Sequence, residues 1–184
     1  MILLLSIACD NASVNQAAEL STEIALFHAL EDGKSWTYKD DGLSWDDTGF
    51  ELNEEELLRA AYLGDGVVEF RRGVRWIDGV PMGALTWDTS NGLTLTAWNF
   101  PTAQGSGNYP LSGPTISVGE TISGDGSCTS SDPEEGIETY YAFFEHVVVF
   151  DCTGGLEGQY VFGYETGLVK LTLADIALEL VAPW

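Results

Sequence analysis

Ile137–Leu173 reads IETYYAFFEHVVVFDCTGGLEGQYVFGYETGLVKLTL and is the densest apolar, β-favouring stretch of the chain. From Tyr140 the even positions are Tyr140, Ala142, Phe144, His146, Val148, Phe150 and Cys152; the odd ones include Glu145 and Asp151. A strand points successive side chains to opposite faces, so the even set reads as a core face and the odd set as a half-solvated one. Thr153-Gly154-Gly155 breaks the run. Gly158–Gly163 and Leu168–Leu173 then supply two more strands separated by glycine-containing turns. Aromatic and β-branched residues cut by Gly-rich turns favour an antiparallel meander.

Outward from this spine the chain stays β-rich. Gly33–Tyr38 is a strand candidate, and Gly66–Arg71 with Val74–Ile77 reads as a hairpin turning near Arg72-Gly73. Ala84–Asp88 and Leu93–Trp98 flank Thr89-Ser90-Asn91-Gly92, whose Asn-Gly pair accepts positive φ. Pro101–Pro114 reads as a loop, Thr115–Ser123 as a strand, Gly124–Gly136 as a polar acidic loop and Ile176–Val181 as a closing strand. One helix is expected. Asn53 caps Glu54-Glu55-Glu56, acids that suit the positive end of a helix dipole, and Leu57, Leu58, Ala61 and Tyr62 form an apolar stripe ending near Gly64. The fold class is therefore all-β, a curved, mainly antiparallel sheet or half-barrel with one short helix.

The 184 residues suit one domain with a full core. Residues 1–22 read as a leader and tether, and 23–184 as the single β-rich domain. Seven Lys and Arg against 29 Asp and Glu give a net charge of −22. That field repels phosphate backbones and anionic lipid surfaces, which argues against nucleic acid as a partner. All four arginines (Arg59, Arg71, Arg72, Arg75) fall within one short window, where internal pairing with carboxylates is expected.

Met1–Ala8 followed by Cys9 resembles the end of a bacterial lipoprotein signal peptide, although Ser6 stands where Leu is usual and no Lys or Arg precedes the apolar run. The resemblance implies lipidation at Cys9. Eight apolar residues are too few to cross a bilayer, so membrane contact is expected only through that anchor. Cys128 and Cys152 are left as a disulfide pair in an oxidising compartment.

Three landmarks, Gly33-Lys34-Ser35-Trp36-Thr37-Tyr38, Val118-Gly119-Glu120 and Tyr164-Glu165-Thr166-Gly167-Leu168-Val169-Lys170, together resemble a loose family of small exported bacterial β-rich proteins, many of them lipoproteins of unassigned function. Glu165-Thr166 departs from the Pro-Gly common there. The resemblance implies a curved antiparallel sheet of lipoprotein-carrier or lipocalin-like type, located in the cell envelope (outer membrane or periplasm) or secreted.

Chemistry-bearing constellations are sparse. His28 and His146 are the two imidazoles, outside any HExxH pattern, with His146 expected on the core face. No CxxC or GxSxG is present, and no cofactor is implied. Asp40, Asp41, Asp46 and Asp47 offer hard oxygen ligands for calcium without EF-hand spacing. Trp36, Trp76, Trp87 and Trp98 lie on strand candidates, where core packing competes with sugar stacking. The leading functional expectation is a non-enzymatic envelope or secreted domain, structural or binding, with an apolar ligand held against the curved sheet. A carbohydrate- or calcium-binding module is the alternative, and a hydrolase using an acidic pair the third. Its partner is expected to be a small apolar ligand, a glycan or a protein.

Overall fold

A computed structural model describes residues 33–40, 57–72, 77–101, 103–155, 157–173 and 176–183. Six strands form a first meander: β1 (Ser35–Asp40), β2 (Leu57–Tyr62), β3 (Val67–Arg72), β4 (Val80–Asp88), β5 (Leu93–Asn99) and β6 (Gln104–Ser112). A hairpin of β7 (Thr121–Ser123) and β8 (Gly126–Ser131) follows, then a two-stranded arm of β9 (Ile137–Glu138) and β10 (Phe143–Phe144). β11 (Val147–Gly154), β12 (Gly158–Gly163), β13 (Gly167–Leu173) and β14 (Ile176–Pro183) make the second meander.

All strands but the arm join one 12-stranded antiparallel sheet in the order β6-β5-β4-β3-β2-β1-β14-β13-β12-β11-β8-β7. The two ends of that order, β6 and β7, are consecutive in sequence. The sheet therefore curls into a nearly closed up-and-down barrel with one seam. There the Asn108 N–H donates to Asp125 Oδ2 at 2.7 Å, and the Asp125 N–H donates to Asn108 O at 2.8 Å.

Among the described residues the inner face is apolar. Leu58, Ala60, Val68, Phe70, Leu85, Leu95, Phe150, Tyr160, Phe162, Leu171, Leu178 and Leu180 are all buried. Trp87 on β4 meets Tyr160 and Phe162 on β12 edge-on, with ring centroids 6.1 and 6.0 Å apart. These two strands stand on opposite sides of the ring, so the contact draws facing walls together. The outer face carries polar ladders instead: Thr121–Thr129, Ser127–Thr153, Gln159–Asp151 and Lys170–Glu179. A transmembrane barrel has the reverse arrangement.

The all-β class and the half-barrel curvature stand, and the helix does not. Among the described residues there is no helix. Leu57–Tyr62 is β2, laddered on both sides by Tyr38↔Leu58 and Leu58↔Arg72, while Asn53–Glu56 lie outside the described residues. Strand partners on either side override a helical stripe of this length. β3 pairs with β2 and β4, and Ile77 sits in an exposed turn; residues 73–76 of the expected hairpin lie outside the described residues. Pro101–Pro114 contains β6, a strand that tolerates Gly105, Gly107 and Pro110 because it borders the seam, where a missing N–H leaves no ladder partner unmet. Gly124–Gly136 contains β8, whose inward positions are Cys128 and Ser130. Of Thr115–Ser123 only Thr121–Ser123 is strand. The Thr89–Gly92 turn joins β4 to β5 as expected, but of the Asn-Gly pair only Gly92 takes positive φ, at +107°, and Asp88 Oδ1 accepts from the Ser90 N–H.

The spine is two objects. Tyr140–Cys152 breaks at Glu145-His146: Phe143-Phe144 belongs to the arm, and only Val147–Gly154 joins the barrel. Val148, Phe150 and Cys152 do point inward, but His146 is exposed at the bend, its carbonyl accepting from the Tyr164 N–H at 3.0 Å.

Cys128 and Cys152 form a disulfide between directly opposed residues of β8 and β11, with Cα atoms 4.1 Å apart. The bond braces the seam side of the barrel and points to an oxidising, extracytoplasmic compartment. It closes a 24-residue separation, so replacing both cysteines by alanine is expected to lower unfolding free energy by about 3.5 kcal/mol in denaturant titration.

Two buried tyrosines differ in their bonding. The Tyr38 hydroxyl donates to Leu168 O at 2.7 Å, whereas the Tyr160 hydroxyl has no partner among the described residues. Tyr38→Phe is expected to cost about 1–3 kcal/mol and Tyr160→Phe nothing or less than nothing, by the same titration. Burial raises both phenol pKa values above the ordinary 10.0. Their contribution is intact below pH 10 and falls as pH climbs beyond it, because the unfolded chain ionises first. Tyr160→Phe should therefore lessen the alkaline loss of stability.

Candidate functional site: an aromatic arm outside the barrel

β13 and β14 share a ladder only from Lys170↔Glu179 to Leu173↔Ile176. Beyond it the two strands part, leaving carbonyls that no ladder partner meets. From inside, β1 fills the split: the Trp36 indole donates to Thr166 O and the Tyr38 hydroxyl to Leu168 O, both at 2.7 Å. From outside it is met by the arm, where the Tyr141 N–H donates to Leu180 O at 3.2 Å.

The arm is a short hairpin with Phe143↔Glu138 and Phe144↔Ile137 paired. Thr139 sets its turn. The Thr139 N–H and hydroxyl both donate to Ala142 O, at 2.9 and 3.0 Å, and Thr139 is buried. The Tyr140 N–H donates to Glu179 Oε1, and the other oxygen of that carboxylate accepts from Lys170 Nζ at 3.3 Å. Backbone and one ion pair thus fix the hairpin to β13 and β14.

Its two faces differ. Ile137 and Phe144 pack against the barrel. The outward side chains Val147, Val149, Val161 and Val169 are buried, so this part of the outer wall is apolar as well as the inner. Gly163 lets Phe144 settle there: a Cβ on Gly163 would lie 2.9 Å from the Phe144 ring and from Val169. The other face is open, with Tyr140 44%, Tyr141 50% and Phe143 56% exposed. Large rings exposed together on one hairpin mark a contact site more often than scattered apolar residues do.

Charge along the arm and the loop leading into it is of one sign. Between Asp132 and His146 stand Asp132, Glu134, Glu135, Glu138 and Glu145, with no Lys or Arg. Among the described residues no three His, Cys, Asp or Glu side chains converge as metal ligands do. The Asp40 side chain and Asp41, Asp46 and Asp47 lie outside the described residues, as do Cys9, His28, Trp76 and Arg75. Arg71 pairs with Glu69, and Arg59 and Arg72 are also engaged.

Trp36, Trp87 and Trp98 are buried, so none of the three is a surface platform. Between them the inner space narrows to a 20 Å³ cavity lined by Trp36, Tyr38, Val68, Trp87, Leu93, Phe162 and Leu168, room for about one water. A separate open depression of 280 Å³ lies over the start of β1 and β2, beside Lys34, Arg59 and Tyr62. The exposed aromatic residues come from the stretch whose alternation assigned them partly to the core. The available signal was Glu145-His146, two polar residues interrupting an apolar run.

No protein-family model, curated protein or solved structure matches the chain.

Phe144→Ala should strip the arm from the valines beneath it, lowering stability by about 2 kcal/mol and speeding amide exchange at Val149 and Val161. Phe143→Ala, on the open face, should change stability by no more than about 0.5 kcal/mol.

Proposed function

We propose that the protein is a non-enzymatic binding domain of the cell envelope or the secreted space, and that it makes contact through the aromatic arm. The observation that carries this reading is the placement of Tyr140, Tyr141 and Phe143 in solvent on a hairpin fixed by Thr139, Ile137 and Phe144. Exposing three large rings costs solubility, and the same rings gain most from burial by a partner.

The buried cross-strand disulfide supports an extracytoplasmic location, and the Cys9 context, which resembles a lipoprotein leader, supports the envelope within it. The exported β-rich proteins it resembles favour the same compartment. An apolar ligand inside the barrel would need several hundred Å³. The 20 Å³ between Trp87 and Phe162 favours the outer surface as the place of contact.

Photo-crosslinking tests the reading. Benzoylphenylalanine replacing Phe143 in the native host should yield adducts with an envelope or extracellular component, whereas the same group replacing exposed Val118 should not. Adducts only from position 118, or none from either, would contradict it. Intact mass of the same material reports an acyl group on Cys9.

A further inference from the structure

We infer that the arm receives a cationic, Arg- or Lys-bearing polypeptide segment, an inference that rests on the arm being the contact surface. Glu138 and Glu145 are exposed on the arm itself, and Asp132, Glu134 and Glu135 sit on the loop leading into it. All five offer only acceptor oxygens in their charged form. The one side-chain hydroxyl near the tip besides the two phenols, that of Thr139, is committed to Ala142 O. The ammonium groups at the base of the arm are engaged: Lys170 is held by Glu179, and Lys39, across the ladder from the same Glu179, is also partnered. A ligand seated on Tyr140, Tyr141 and Phe143 therefore meets carboxylates, ring faces and the two phenol hydroxyls, in surroundings where acceptors outnumber donors.

That combination selects guanidinium and ammonium groups. Their N–H bonds match carboxylate oxygens, and their charge is attracted to the negative face of an aromatic ring. Arginine gains twice, because its planar head also stacks. A neutral glycan presents hydroxyls that accept as well as donate; the two phenols can donate to them, whereas the five carboxylates can only accept and gain most from a cation. Anionic lipid and nucleic acid are repelled by the same carboxylates and by the net charge of −22. The long-range field speeds arrival of a basic partner, while the rings give the encounter a place. A polypeptide also suits the length of the feature, a hairpin from Ile137 to Phe144 with the open rings spread along it.

The test must separate the arm from the general acidity of the protein. The intact, disulfide-bonded protein is titrated calorimetrically with a short peptide of alternating Arg and Gly, and with neutral oligosaccharides. Tyr141→Ser/Phe143→Ser leaves every charge in place and should weaken peptide binding by about tenfold. Glu138→Gln/Glu145→Gln should weaken it by about threefold, and the remote exposed pair Asp88→Asn/Glu120→Gln by less than about twofold. Retained circular dichroism and the Cys128–Cys152 bond show that each variant is folded.

Binding that survives loss of the rings, or that the remote pair impairs as much as the arm pair, would overturn the inference and leave only a diffuse field. Oligosaccharide binding abolished by Tyr141→Ser/Phe143→Ser, with the Arg peptide unaffected, would also overturn it while leaving the arm as the contact surface. If crosslinking from position 143 fails as well, the proposed function falls with it.

Discussion

A ring of twelve strands encloses more space than aliphatic side chains fill, since barrel width grows with strand number. The interior stays closed because Trp87 reaches from β4 across to Tyr160 and Phe162 on β12, drawing opposite walls within ring contact. Phe150 against Phe162, and Phe70 between Tyr38 and Phe100, extend the same packing along the barrel. Much else follows from this flattening. Among the described residues it narrows the space between Trp36 and Phe162 to a water-sized cavity.

Flattening also bends the walls, and the place where β13 and β14 part shows how the chain meets the exposed backbone. Buried carbonyls need donors. Trp36 and Tyr38 provide them from the inside, and the arm provides one from the outside through Tyr141. The arm is thus part of the barrel's hydrogen-bonding as well as a surface feature. Its inner residues, Ile137 and Phe144, cover a valine patch on an otherwise polar wall, and its outer residues are left in solvent. One hairpin serves both stability and display.

The all-β class was legible because Val147–Phe150 and Tyr160–Phe162 are β-branched and aromatic, and because Phe150-Asp151-Cys152 and Leu171-Thr172-Leu173 alternate apolar with polar residues as the pleat does. The disulfide was legible from two cysteines in a chain with an export-like start. Three elements were hidden for different physical reasons. Leu57–Tyr62 carries a helical stripe, and strand partners β1 and β3, distant from it in local pattern, decide its state. β6 is written in Gly, Ser and Pro, which propensity reads as loop, yet a strand bordering the seam accepts them. β8 turns Ser130 inward because its hydroxyl donates to Ser117 O, so polarity misreports its facing. The aromatic arm was visible as residues and invisible as a site: Tyr140 to Phe144 has the composition of a core strand, and only the break at Glu145-His146 separates it from β11.

The most direct measurement of this account is nuclear Overhauser contact between the Trp87 indole and the rings of Tyr160 and Phe162 in the protein free of any ligand. Strong cross-peaks are expected at the observed centroid distances of 6.1 and 6.0 Å. Their absence, together with uptake of an apolar dye into the barrel, would mean that the walls stand apart. Recognition would then belong to the interior and not to the arm.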